Sequence, residues 1–162
     1  MNGEVASQFS DLELEFRSEL KGSGSLSPYV TNNSDDPGSQ NSYVGFDIHP
    51  EDVEALFFEG IGIPRCDSIK AESVEEQEKL YMRDYNELMS KYPMIGRAND
   101  TEQRAAYNSD EVSALVDECD RILAGTSNPK AIRALQKFIL SGKKAAEKQS
   151  GLELNPRHEM DT

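Results

Sequence analysis

The side chains best suited to chemistry in this 162-residue chain are two histidines, His49 and His158, and two cysteines, Cys66 and Cys119. A nucleophile–histidine–acid set needs a hydroxyl or thiol brought beside one of those histidines. His49 precedes Pro50, where a helix N-cap is expected, and His158 lies in a polar tail. Neither spacing proposes a nucleophile, so both are read as structural. Cys66 sits beside Arg65 in a loop, and a neighbouring cation favours the thiolate. The plainer reading is an ordinary loop thiol. Cys119 falls on the apolar stripe of an expected helix and reads as a small core residue. No Cys/His spacing fits zinc.

Carboxylates are abundant, so chance alone clusters them. Asp117, Glu118 and Asp120 crowd one helical turn. Two of them would suit a hard cation, but no D-x-D-x-D-G loop accompanies them. Glu75, Glu76 and Glu78 read as a solvated helix start. Gly60-Ile61-Gly62 lacks the third glycine, the lysine and the helix start of a phosphate loop. The expectation is therefore no catalytic residue, no cofactor-binding residue, no cofactor and no metal ligand.

The charge is divided. Residues 1–126 carry 26 acids against ten Lys and Arg, a net of −16. Residues 127–150 carry Lys130, Arg133, Lys137, Lys143, Lys144 and Lys148 against Glu147 alone, a net of +5. Over the whole chain the net charge of −13 repels nucleic acid and anionic lipid and attracts basic partners. The basic helix has two readings: contact with a second macromolecule, or packing against the chain's own acids, for instance those of Asp110 to Asp120. The second is favoured, because intramolecular partners are ordered at lower entropic cost. The apolar fraction of 36% implies a small core. No apolar run approaches the ~20 residues that span a bilayer. The N-terminus shows no basic and apolar leader pattern, which points to a cytoplasmic protein.

Behind these residues stand four expected segments. Residues 1–21 form an arm with a short amphipathic helix, in which Phe9, Leu12, Phe16 and Leu20 share one stripe. That stripe would dock on its own domain or enter a partner's groove, and the long polar segment after it favours the groove. Residues 22–42 are nearly all Gly, Ser, Pro, Asn, Asp and Thr and read as a flexible linker. Residues 43–156 are the folded domain, and residues 157–162 a disordered tail.

Within the domain, Tyr43 to Ile48 suggests a strand, Pro50 opens a helix, and Gly60 ends it. Ser73 and Glu76 make a capping box for a long helix that stops at Tyr92-Pro93. A further helical turn is expected around residues 101–107. Asn108 and Glu111 cap a helix with Val112, Leu115, Val116, Cys119, Ile122 and Leu123 on one stripe. Gly125 closes it, and Asn128-Pro129 opens the last helix, which Gly142 would end or kink. Two such helices joined by four residues lie antiparallel. A short strand over residues 151–156 is expected to pair with Tyr43 to Ile48. The fold class is thus mainly α: a small helical domain with an antiparallel C-terminal helix pair and one short β pair, preceded by a flexible arm.

Residues 107–156 carry Asp110-Glu111-Val112, Leu115, Glu118-Cys119, Asn128-Pro129, Ala134-Leu135 and Gly151-Leu152. In this order the segment resembles the closing part of small acidic bacterial helical proteins, of the toxin-immunity kind or of no assigned role. The resemblance implies a stoichiometric protein partner and no catalysis.

The expected function is a non-enzymatic acidic binding protein, of the immunity or inhibitor kind, that engages a basic protein. The residues expected to meet the partner are Phe9, Leu12, Phe16, Leu20, Asp117, Glu118, Asp120, Lys143 and Lys144. A viral or phage assembly factor with a basic C-terminal contact helix is the alternative, and a nucleic-acid mimic the third reading. Membrane, nucleic acid and small-molecule substrates are not expected partners.

Overall fold

A computed structural model describes residues 11–19, 24–31, 41–64, 69–98 and 103–156. Phe9, Leu20, Cys66, His158 and the expected tail at 157–162 lie outside the described residues. The described chain is mostly helical, with a four-stranded antiparallel sheet. It begins with a short helix, α1, over residues 11–17. The strands are β1 (Leu26–Val30), β2 (Ser42–Tyr43), β3 (Ala105–Tyr107) and β4 (Leu152–Pro156), in the order β2-β1-β4-β3. The remaining helices are α2 (Pro50–Ala55), α3 (Val74–Lys91), α4 (Ser109–Gly125) and α5 (Pro129–Glu147).

The sheet departs most from expectation. β1 lies inside the segment expected to be a flexible linker, yet Leu26 and Val30 are buried and β1 pairs with β4 along its length. β4 therefore joins β1 and β3, whereas Tyr43 pairs with Tyr29 of β1 and Ile48 only bridges Leu26. Composition misleads here because β1's polar residues are satisfied internally. The Ser27 hydroxyl donates to Asp47 Oδ1 at 2.9 Å, and Asp47 accepts a second bond from the Tyr43 hydroxyl at 2.6 Å. Hydroxyls with partners can be buried at little cost. The folded unit thus begins well before Tyr43. The turn expected around residues 101–107 is β3, which adds to the sheet's edge through Leu152 and Leu154.

The helices follow their caps. Ser73 Oγ accepts the Glu76 backbone N–H, and α3 ends at Lys91 before Pro93. Asn108 and Glu111 form the reciprocal box of α4, and the Asn128 side chain accepts the N–H groups of Lys130 and Ala131. Each cap satisfies donors that the first turn leaves open. The α2 segment continues past Gly60 through a wider π-type turn, Leu56–Ile61, before Gly62 closes it.

α5 is the centre of the molecule. Lys137, Phe138, Ile139, Leu140, Ser141 and Gly142 are consecutive and all buried. Six residues take a helix through more than a full turn, so α5 is covered on every side there. It packs on α4, α2, β1 and β4. Gly142 does not end it, since α5 runs on to Glu147. A Cβ at that position would stand 2.5 Å from Val116 Cγ2, so glycine lets the end of α5 approach the start of α4, as an antiparallel pair requires.

Gly151 joins α5 to β4 under a tighter restriction. A Cβ there would lie 2.3 Å from the Tyr107 carbonyl oxygen and 3.0 Å from Thr31 Oγ1. The first neighbour is backbone and cannot swing aside. Gly151→Ala is expected to lower stability by about 2–3 kcal/mol, the upper part of the range for overpacked sites. Urea denaturation measures it, and an unchanged midpoint would contradict the packing of β3 against this turn.

Candidate functional site

A lysine in the fully covered stretch of α5 needs partners, because a lone buried ammonium is heavily penalised. Lys137 is 0% exposed. Its Nζ donates to Glu19 Oε1 at 2.6 Å and to the Asp47 carbonyl oxygen at 2.7 Å. The ammonium also lies 5.1 Å from the centre of the Phe16 ring. Phe16 lies in α1 and Glu19 two residues past its end, so the first helix and the turn that follows it supply the ring contact and the counter-charge for the last helix.

Glu19 gathers the rest of the cluster. Its Oε2 accepts from Arg133 Nη1 at 3.2 Å, and its Oε1 lies 3.3 Å from His49 Nε2. The carboxylate can only accept, so Nε2 is assigned as the donor. That leaves His49 Nδ1 to accept from the Ser25 hydroxyl at 3.3 Å. Asp52, one turn into α2, faces the same charges. Burial pushes its carboxyl above the ordinary range against the opposing pull of Lys137 and Arg133.

Ser25, His49 and Glu19 thus stand in line, as a hydroxyl, an imidazole and a carboxylate do in a nucleophilic triad. The chemistry of the line differs. Ser25 is 1% exposed, so substrate does not reach its oxygen. The Glu19 charge is already shared by Lys137 and Arg133, which weakens any effect on the imidazole. The line acts as a clamp that fixes α1 against α2 and α5.

A second pair holds the other end of α1. Glu13 accepts from Arg17 at 2.9 Å and meets Lys144 on α5. Burial alone would raise the Glu13 carboxyl, but hydrogen bonds and charge from Lys144 and Arg17 hold it below the ordinary carboxylate range. A depressed carboxyl contributes stability above its unfolded pKa and loses it as pH falls through the folded value. Glu13→Gln is therefore expected to be less stable than the parent at pH 7 and equal to it in strong acid. Urea midpoints at the two pH values test this, and a gap that persists in acid would refute the pairing.

The partner-binding residues expected from sequence divide sharply. Phe16 is in the core, tilted against Phe46 with ring centres 5.7 Å apart, and Leu12 packs beside it. Of the stripe, the described residues Leu12 and Phe16 dock on the chain's own domain. Lys144 is engaged by Glu13. Glu118 is buried, and its carboxylate accepts the backbone N–H groups of Met94 and Ile95 at 3.0 Å, where a 3-10 turn (Ile95–Ala98) begins. It is an internal cap. Asp117, Asp120 and Lys143 are exposed. Cys119 is buried and apolar surroundings push its thiol up, away from the reactive thiolate.

Lys137, Glu19 and His49 as a cluster were missed. Lys137 carried no signal of burial: it falls on the same side of α5 as Lys130, Arg133 and Lys144, which the sequence alone presents as a solvated basic face. Among the described residues there is no group of three or more His, Cys, Asp or Glu side chains that could hold a metal, and no helix long and apolar enough to cross a membrane. Comparison with protein-family models, curated proteins and solved structures finds no match.

Proposed function

We propose that this chain is an acidic binding protein, of the immunity or inhibitor kind, that engages a basic protein partner. One observation carries the reading. The cations of α5 are turned toward the chain's own acids: Lys130 to Glu51, Arg133 and Lys137 to Glu19, Lys144 to Glu13. These pairs neutralise much of the one basic segment. Exposed carboxylates such as Glu54, Glu59, Glu75, Glu76, Glu78, Asp117 and Asp120 then dominate the outward field. The same pairs weaken the alternative of an assembly factor that works through a basic contact helix.

Such a surface speeds association with a cationic protein and loses that advantage when salt screens it. The association rate with a basic partner is expected to fall by about tenfold or more between low and high ionic strength, with a smaller change in dissociation. Reversing Asp117 and Asp120 to lysine should slow association further without changing thermal stability. Stopped-flow or surface-binding kinetics supply the test. A rate that is independent of salt would defeat the electrostatic reading.

A further inference from the structure

α3 is the helix least used by the fold. It runs for 18 residues without one buried side chain. Tyr81, Tyr85, Leu88 and Met89 rest partly against the core. Val74 and Met82, by contrast, are 70% and 48% exposed, and of the large apolar side chains exposed among the described residues only Leu14 lies elsewhere. Val74, Tyr81, Met82 and Tyr85 fall at i, i+7, i+8 and i+11, so they share one side of the helix. The Tyr81 and Tyr85 rings stack there with centres 6.0 Å apart. Exposed Glu72, Glu75, Glu76 and Glu78 surround the Val74 end, with Lys79 the one base between Glu72 and Met82.

We infer that this side of α3 is where a cationic amphipathic helix of a protein partner docks, its apolar residues on Val74, Met82 and the tyrosine pair and its lysines or arginines beside Glu75 and Glu78. The inference rests on the proposed function and gives it a surface. Charge complementarity selects the occupant. A second copy of this chain would bring the same glutamates against one another, and nucleic acid or an anionic membrane would be repelled by them. An apolar strip that carries one carboxylate, Glu78, between Val74 and Met82 and has Glu75 at its flank fits the helix mode of peptide recognition, in which anchors recur every three or four residues.

The probe is a synthetic peptide of leucine and lysine patterned as an amphipathic helix, set beside a scrambled peptide of identical composition. Both are titrated into the full chain at low salt by calorimetry, with amide and Met82 methyl shifts followed by NMR. The patterned peptide is expected to bind about tenfold tighter than the scrambled one and to shift α3 resonances. The neutral double substitution Val74→Ser and Met82→Ser should remove that tenfold advantage and leave the scrambled peptide's affinity unchanged. Both positions are exposed, and the thermal midpoint verifies that the variant is folded. The shift map of the parent chain tests the surface without any variant.

Equal binding of the two peptides would overturn the α3 surface and leave the electrostatic reading standing. So would shifts confined to another face. Failure of both peptides to bind at any salt would remove both. Self-association that vanishes in the double variant would name a second copy as the occupant and also overturn the inference.

Discussion

Lys137→Ala is expected to lower the folding free energy by about 3 kcal/mol, one of the two largest single losses in this chain. Removing one member of a buried ion pair leaves the other uncompensated, typically at a cost of about 3–5 kcal/mol. Glu19 is not fully dry, since 18% of its side chain is exposed and Arg133 still contacts it, so the lower end applies. The Asp47 carbonyl also loses its donor. Lys137→Met keeps the buried stem and should cost less. Pairing it with Glu19→Gln should recover part of the loss, because the two changes share one interaction. Urea denaturation of the two single variants and the double variant completes the cycle. Additive losses would mean that the Lys137–Glu19 pair carries no coupling energy and that α1 is held by its apolar contacts and the Glu13–Lys144 pair.

Phe16→Ala is expected to cost about as much, by a different route. The ring is 2% exposed and packs on Phe46 and the Lys137 ammonium. Truncating a buried phenylalanine costs about 3–5 kcal/mol, part lost transfer energy and part cavity. One limit applies. If α1 can lift away while the rest stays folded, the loss cannot exceed the free energy that docks it. The expected result is a lower urea midpoint together with fast hydrogen exchange in residues 11–17, while α5 amides stay slow. Unchanged exchange in α1 would show that Phe16 does not hold it.

Together these two changes address one feature, the closure of the domain by its own N-terminal helix. The contact couples residues more than a hundred positions apart, as in Arg133 with Glu19 and Lys137 with Glu19. It also accounts for the charge division along the chain. The basic segment is where the acidic arm lands, although the acids it meets are Glu13, Glu19 and Glu51 and not those of Asp110 to Asp120.

What the residues determined alone was local. Ser73, Asn108 and Asn128 announced their helices because a cap is a bond between a side chain and a backbone two or three residues on, independent of anything distant. The stripe through Val112, Leu115, Cys119 and Ile122 was legible for the same reason, since helical period places its own neighbours. What only the tertiary structure decided was long-range. Leu26–Val30 is a strand because β4 lies beside it, and nothing within five residues set in a polar stretch reports a partner more than 120 positions away. Lys137 is buried because α1 brings Glu19 to it, and Glu118 is a cap because the turn at Met94 and Ile95 folds onto it. Charge is visible in a sequence as a quantity. Whether it faces water or another charge is set by chain segments that meet only after folding, when the loss of loop entropy is offset by the contacts they form.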